Sequence, residues 1–300
     1  MGFYRVNSQK TSTNLSSKTC LACVFNCTHP LYTCKVITFA VIGHNEAPTL
    51  EYALDQVSEA AMTGDVVWFV DSASTDQSKT IAKRKNIKRI QAPIGKGRAM
   101  RYAIERFETE FICFIDADLL EAPRNFALVL AEAVRTNPSD MLVGDFEDGS
   151  LSGVTIGIYK PLVANLFPEA TDRYGNKPLS GFRVIRKGQN LGQIPDDFGV
   201  EAHLNITLGL ASASISICSL GTYEGRFLYK PLMGIEVSNA ILNLAVSAGR
   251  LDAACRSAWE EWVNDIVEHL TNYHGDLAIS VSFESELRRL ASRPLPSAVI

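Results

Sequence analysis

From residue 35 onward, short runs of β-branched and aliphatic residues alternate with longer segments whose apolar residues recur three and four apart. KVITFAVI, VVWFVD, KRIQA, FICFID and DMLVGDF carry the branched and aromatic density of buried strands. Between them, TLEYALDQVSEAAM sets Leu50, Ala53, Leu54, Val57, Ala60 and Ala61 at helical spacing. Pro48 suits the first turn of that helix. SASTDQSKTIAKRK, GKGRAMRYAIERFE and APRNFALVLAEAVR read as loops leading into helices. Such alternation predicts an α/β fold with an open, mainly parallel sheet flanked by helices. In sheets of this kind ligands bind at the carboxyl ends of the strands, which directs attention to the polar residues that follow each apolar run.

After residue 150 the pattern is less regular. GVTIGIYKPLVANLF and DDFGVEAHLNITLGLA read as helices, separated by the turn-rich DRYGNKPLSGF. Two more helices are expected between 235 and 272. The second places Trp259, Trp262, Val263, Ile266 and Leu270 on one side, a stripe that suits core or subunit packing. A homodimer is compatible with these apolar helices. Residues 1–34 are polar and lack periodicity, and are expected to form a mobile leader.

Composition narrows the function classes. A net charge of −4 disfavours a protein that coats nucleic acid. No run approaches the roughly 20 apolar residues of a membrane span, and the polar N-terminus lacks the hydrophobic centre of a secretory signal, so the expected location is cytoplasmic. Four of the seven cysteines, Cys20, Cys23, Cys27 and Cys34, lie close together with His29 among them. Their spacing follows no common zinc-finger pattern, leaving a metal site or free thiols as the readings.

The chemistry concentrates at the strand ends. FICFID runs through the core and ends on Asp116-Ala117-Asp118. Two carboxylates this close repel, and each raises the other's pKa unless a cation lies between them. Mg²⁺ takes one or two carboxylates together with phosphate oxygens, so the spacing fits a metal that grips a diphosphate. The plainer reading is a solvated loop with a helix-capping Asp. Asp71 and Ser72 offer hydrogen bonds to a base or ribose, and His44 lies in the first strand-end loop. Lys96, between Gly95 and Gly97, is expected beside exposed backbone N–H groups, as a phosphate site requires. GKGRAM is neither a P-loop nor a dinucleotide fingerprint, because Met100 stands where the third glycine would be. A Gly-x-Ser-x-Gly elbow is also lacking.

In their order, VIGHNEAPTL, FVDSASTD, IGKGRAM and FIDADL resemble the nucleotide-sugar-binding half of GT-A glycosyltransferases. KPLSGFRVIRK, DFGVEAHLNI and GVTIGIYKPL resemble segments of the glucosyl-3-phosphoglycerate synthases and their mannosylglycerate-forming relatives, and the likeness spans roughly residues 35 to 232. The resemblance implies a nucleotide-sugar-binding GT-A core at 35–150, an acceptor-binding region at 151–235 and C-terminal helices and tail at 236–300. It implies that Gly43, Glu46 and Ser72 line a uridine pocket with Asp71 nearby, and that Lys96 meets the diphosphate. Asp116 and Asp118 would hold Mg²⁺ or Mn²⁺ and the ribose. Leu179, Ser180 and Gly181 would border the donor sugar, and Glu201 would bind its hydroxyls.

Two positions depart from that family. Its third metal ligand is a His, whereas SLGTYEGRFLYKPL has none, so Glu224 or a water is the expected substitute. The Arg that holds the acceptor's phosphate there corresponds to Gly153 here, which points to a different acceptor. The expected activity is transfer of a hexosyl group from a UDP-sugar to a small-molecule or carrier-bound hydroxyl, with retention. The competing readings are an inverting enzyme with Glu201 or Asp197 as base, a sugar-phosphate nucleotidyltransferase, and a non-catalytic nucleotide-sugar-binding scaffold. His203 and Arg226 are weaker candidates with plain packing or solvation alternatives, and Asp196 and Asp197 suit a helix N-terminus electrostatically.

Overall fold

The computed structural model describes residues 35–147, 152–223, 230–272 and 277–299. Five strands match the apolar runs: Ile37–Gly43 (β1), Val66–Ser72 (β2), Lys88–Ala92 (β3), Phe111–Asp116 (β4) and Met141–Glu147 (β5). Helices Ala47–Ala60 (α1), Ser78–Arg84 (α2), Lys96–Arg106 (α3) and Phe126–Thr136 (α4) connect them. Pro48 stands in the first turn of α1, where its missing N–H costs nothing.

The later segment adds a π-helical turn, Thr155–Tyr159, leading into Lys160–Leu166 (α5), then strand Arg183–Arg186 (β6), helix Val200–Leu210 (α6) and strand Ile215–Thr222 (β7). Helices Pro231–Ser247 (α7), Arg256–Thr271 (α8) and Leu277–Ala291 (α9) follow. All seven strands join one sheet in the order β3-β2-β1-β4-β6-β5-β7. The four strands from β3 to β4 pair in parallel, β6 runs antiparallel to β4 and β5, and β7 is parallel to β5. The sheet therefore crosses residue 150, where the sequence suggested a change of region. β6 and β7 were not apparent from periodicity: β6 has four residues and β7 mixes Ser and Gly into its alternation.

Pleating divides the core. Ile37, Phe39 and Val41 of β1 and Phe111, Cys113 and Ile115 of β4 pack with Leu50, Leu54, Phe126 and Leu130 from α1 and α4. Ala40, Ile42, Ile112 and Phe114 face the other way, into a larger layer that includes Met100, Leu204, Ile241 and Ile266. Asp116 follows the even-numbered register of β4 and so falls on the side of α3 and α6. Trp259, Trp262, Val263, Ile266 and Leu270 are all buried within this layer, so the α8 stripe is consumed inside the chain. Among the described residues no helix is long and apolar enough to cross a membrane.

Candidate active site

Strands β1, β2 and β4 end side by side, with Gly43 paired to Asp71 and Ile42 to Asp116. Their loops open on a cleft of about 340 Å³. Gly43, His44, Glu46, Ser72, Lys96, Asp116 and Asp118 all line it, joined by Phe198 and Lys230. Gly43 is held close: a Cβ there would come 2.6 Å from the Cβ of Ala117.

The loops are laced together by side chains. His44 donates from Nδ1 to the Ser72 carbonyl at 2.6 Å, since a carbonyl can only accept. Its Nε2 then accepts from Asn45 Nδ2 at 3.2 Å. Asn45 adopts a left-handed φ of 58°, and its Oδ1 accepts from Thr75 N at 2.8 Å. Asp76 serves two helix starts, accepting from Ala47 N at 2.9 Å and Ser78 N at 3.0 Å.

Asp71 lies behind this wall, fully buried. Its Oδ1 accepts from Ser74 N at 2.8 Å and its Oδ2 from Arg89 Nε at 2.6 Å. Both oxygens thus serve the loop, and Asp71 does not line the cleft. Ser72 reaches the glycine loop instead, its Oγ accepting from Gly95 N at 3.0 Å.

The expectation of free backbone N–H groups around Lys96 requires correction. Gly97 N donates to Asp197 O at 3.2 Å and Arg98 N to Asp196 O at 3.1 Å. The two glycines exist for this contact: a Cβ on Gly97 would fall 1.9 Å from Pro195 O, and one on Gly95, at φ 125°, 2.3 Å from Asp196 O. Arg98 and Arg101 close the same seam through Asp196 at 2.7 and 2.6 Å. The N–H groups of Gly97 and Arg98 in the first turn of α3 are therefore spent on the chain's own carbonyls.

Lys96 itself is central. Its Nζ lies 3.0 Å from Asp116 Oδ1 and 2.8 Å from Glu201 Oε1. The Glu201 contact falls outside hydrogen-bonding angles, so that oxygen keeps an unused lone pair. Burial pushes the Lys96 pKa down, but the two carboxylates outweigh it and hold the ammonium charged. Burial raises the pKa of Asp118, and the neighbouring Asp116 charge adds to it, against Lys96 and Lys230. Glu46 is raised by burial and then by Asp118, with Lys230 opposing. Carboxylates under this pressure are relieved by a cation.

Among the described residues no three His, Cys, Asp or Glu side chains form a ready-made cage. A Mg²⁺ or Mn²⁺ site with one or two carboxylates, completed by donor phosphate oxygens, fits this donor set. Glu224 and Arg226 lie outside the described residues.

From later in the chain, Phe198 and Lys230 line the cleft, whereas Leu179, Ser180, Gly181 and Glu201 stand behind its lining. Gly181 abuts Asp116 so tightly that a Cβ would stand 2.0 Å from Asp116 Oδ2. Ser180 and Leu179 belong to a turn closed by Ser180 N donating to Lys177 O at 2.9 Å. Asp197 turns its Oδ1 to Gly199 N at 2.9 Å and does not line the cleft. His203 is buried, with Nε2 donating to Leu191 O at 2.7 Å, and its burial lowers its pKa. Gly153 packs under α8, where a Cβ would meet Leu270 Cδ2 at 2.5 Å.

Four neighbours were not foreseen. Lys230 and Phe198 stack at 4.7 Å from Nζ to ring centroid. Arg183 and Asn205 are fully buried beneath the 178–181 turn. The one available signal was a charged residue at a core-facing position of FRVIR.

Residues 38–182 match the family model described as Glycosyl transferase family 2. With the sheet and its strand-end cleft, this match gives a GT-A-like fold that resembles that glycosyltransferase family over just under half of the chain. Among solved structures it is similar to glucosyl-3-phosphoglycerate synthase from Mycobacterium tuberculosis in complex with Mn²⁺, UDP-glucose and phosphoglyceric acid. That match has 22% identity, covers 70% of this chain and 80% of that one, and has a TM-score of 0.62. The same enzyme with Mn²⁺, UDP and glucosyl-3-phosphoglycerate matches at 23% identity over 73% and 82% of the two chains, with a TM-score of 0.63. Its complex with Mg²⁺ and UDP gives 23%, 70%, 79% and 0.61. At these identities the likeness is one of fold. Comparison with curated proteins gives no match.

Proposed function

We propose that this protein is a divalent-metal-dependent glycosyltransferase that moves a hexosyl group from a UDP-sugar to a hydroxyl of a small-molecule or carrier-bound acceptor, with retention of configuration. The observation that carries the reading is the end of β4. It delivers Asp116 and Asp118 to a cleft whose other polar side chains are His44, Glu46, Ser72, Lys96 and Lys230. Gly43, Glu46 and Ser72 receive the uridine, and Asp71 supports them by fixing the loop that follows β2. Asp116 and Asp118 hold the metal and the ribose. A bound Mg²⁺ or Mn²⁺ supplies Lewis-acid stabilisation of the charge that develops on the departing diphosphate.

Lys96 places an ammonium next to the same charge in a partly dry cleft, where its effect is greater than in water. Leu179, Ser180 and Gly181 border the hexose. Glu201, paired to Lys96 just behind the cleft lining, is assigned the sugar hydroxyls. Retention follows if the leaving phosphate oxygen takes the acceptor proton on the face it departs from. An inverting course would need a free base opposite, and Asp197 is turned to the Gly199 amide.

The acceptor differs from the phosphoglyceric acid of the similar structures. Gly153 sits against Leu270, leaving no room for the basic side chain that the resemblance places there. An acceptor without a phosphate suits this wall.

Calorimetric titration with UDP, with and without Mn²⁺, tests the reading on the intact protein and on Asp118→Ala. Binding that requires Mn²⁺ and disappears in the variant supports it. Absence of UDP binding in the intact protein under both conditions sinks it. The anomeric configuration of the first product, read by NMR, decides retention.

A further inference from the structure

Arg183 is the most deeply buried cation on β6, with no carboxylate of the described residues in ion-pair contact. Its Nε and Nη2 both donate to Ser180 O, at 3.0 and 2.5 Å, and Nη2 also reaches Pro178 O at 3.3 Å. Nη1 donates to Asn205 Oδ1 at 3.3 Å. Asn205 is used just as fully: its Nδ2 donates to Pro178 O at 2.7 Å and to Tyr159 Oη at 3.1 Å. The Asn205 carbonyl accepts from Tyr174 Oη. A buried, fully satisfied network of this kind fixes geometry more than it adds stability, because apolar residues of the same volume commonly serve stability as well or better.

What it fixes is the relation between two parts of the site. Asn205 lies one helical turn after Glu201 on α6, so the two share a face. Ser180 immediately precedes Gly181, which abuts the Asp116 carboxylate. The Tyr159 contact ties in the π-helical turn, a local irregularity often found at functional sites.

We propose that Arg183 and Asn205 form a buried brace that sets the register of the Glu201 helix against the 178–181 turn, and thereby positions the donor sugar between Glu201 and Asp116. They are positioning residues: neither lines the cleft. The inference rests on the donor reading above. It assigns the brace to turnover and leaves nucleotide affinity to the other wall. Lysine cannot replace the arginine, since one ammonium lacks the planar fork that grips Ser180 O twice.

The test compares wild type with Arg183→Lys, Asn205→Leu and the double variant Arg183→Met/Asn205→Leu, whose apolar pair guards against simple misfolding. UDP affinity is measured with Mn²⁺. UDP release is followed from UDP-glucose, UDP-galactose and UDP-N-acetylglucosamine, and amide exchange is read at 177–182 and 200–206. The expected result is UDP affinity within about threefold of wild type and kcat for UDP release down about 100-fold in each single variant, the scale of a 1 Å misplacement. KM changes little, the double variant is no worse than the singles because the pair acts as a unit, and exchange quickens in both segments together. Turnover within about threefold of wild type in the single variants, full activity in Arg183→Lys, losses that multiply in the double variant, or exchange that quickens in only one segment would each overturn the brace. A wild-type protein that binds no UDP refutes the donor reading instead, and the exchange result then decides the brace by itself.

Discussion

The wall of the cleft carried by residues 42–118 is made from the ends of parallel strands, and the wall facing it presents Phe198 and Lys230, backed by a turn, a helix start and an antiparallel strand. The first wall is stitched by short polar side chains reaching backbone N–H groups, such as Asn45, Asp71 and Asp76. The second is held from beneath by the Arg183–Asn205 network and by glycines that allow close approach. Strand ends place their side chains by pleat and register alone. A wall without that regularity needs tertiary contacts to define it, and its parts can shift without disturbing the first wall.

The largest effects separate the walls by what they disturb. Asp116→Ala removes the carboxylate that pairs with Lys96 and that the proposed reading assigns to the metal, so Mn²⁺-dependent UDP binding is expected to be lost and UDP release to fall by about 10³-fold, the upper range for removing one electrostatic stabiliser. EDTA added to the intact protein produces the same loss, reversed by Mn²⁺. Glu201→Gln, on the opposite wall, keeps UDP affinity and lowers turnover by about 10²-fold. Calorimetry and a UDP-release assay on the same samples check both. Equal loss of UDP affinity in Glu201→Gln would erase the division between the walls.

Gly181→Ala probes the seam between them. Its Cβ would intrude on the Asp116 carboxylate, since 2.0 Å is far inside contact distance. The carboxylate or the turn must move, and turnover falls by about 10²-fold, while the thermal midpoint changes little because Asp116 stands at the rim of the sheet. A variant with wild-type turnover would show that the seam is loose.

These contrasts also explain what the sequence could convey. β1 to β5 and their helices were legible because each strand is a continuous apolar run and each helix carries a regular stripe. The cleft positions of Asp116, Glu46 and Ser72 were legible because strand ends are where such sheets bind ligands. The role of the two glycines around Lys96 was not: it depends on the 195–197 segment, which is remote in sequence and spends the N–H groups that a phosphate would have used. Nor was the placement of Asp71, whose partner Arg89 lies on the neighbouring strand. Arg183 and Asn205 are 22 residues apart and meet only after β6 has entered the sheet beside β4. Periodicity carries no record of such a meeting.

Stability should follow the same division. Asp76→Ala removes the acceptor for two helix-start N–H groups on the first wall and is expected to cost about 1–2 kcal/mol, the range for a lost helix cap. Urea unfolding checks it. A loss well below that range would mean that Asn45 alone holds the loops together.

The smallest effect concerns His203, which belongs to the helix of the second wall but faces away from the cleft. Its ring is buried and donates from Nε2 to Leu191 O. Burial depresses its pKa in the folded protein below the unfolded value near 6.5. Between those two values the unfolded chain binds a proton that the folded chain does not, so stability rises with pH there and falls as the solution is acidified below about 6.5. Above the unfolded value, the contribution is complete. One proton sets the ceiling on the slope at about 1.4 kcal/mol per pH unit. His203→Gln retains an N–H donor for Leu191 and removes the titration. Urea denaturation at pH 7.5 and pH 5.5 should therefore show a smaller fall in stability for the variant than for the wild type. Equal falls in the two proteins would mean that His203 is protonated within the fold, and that the second wall tolerates a charge beside the Leu191 carbonyl.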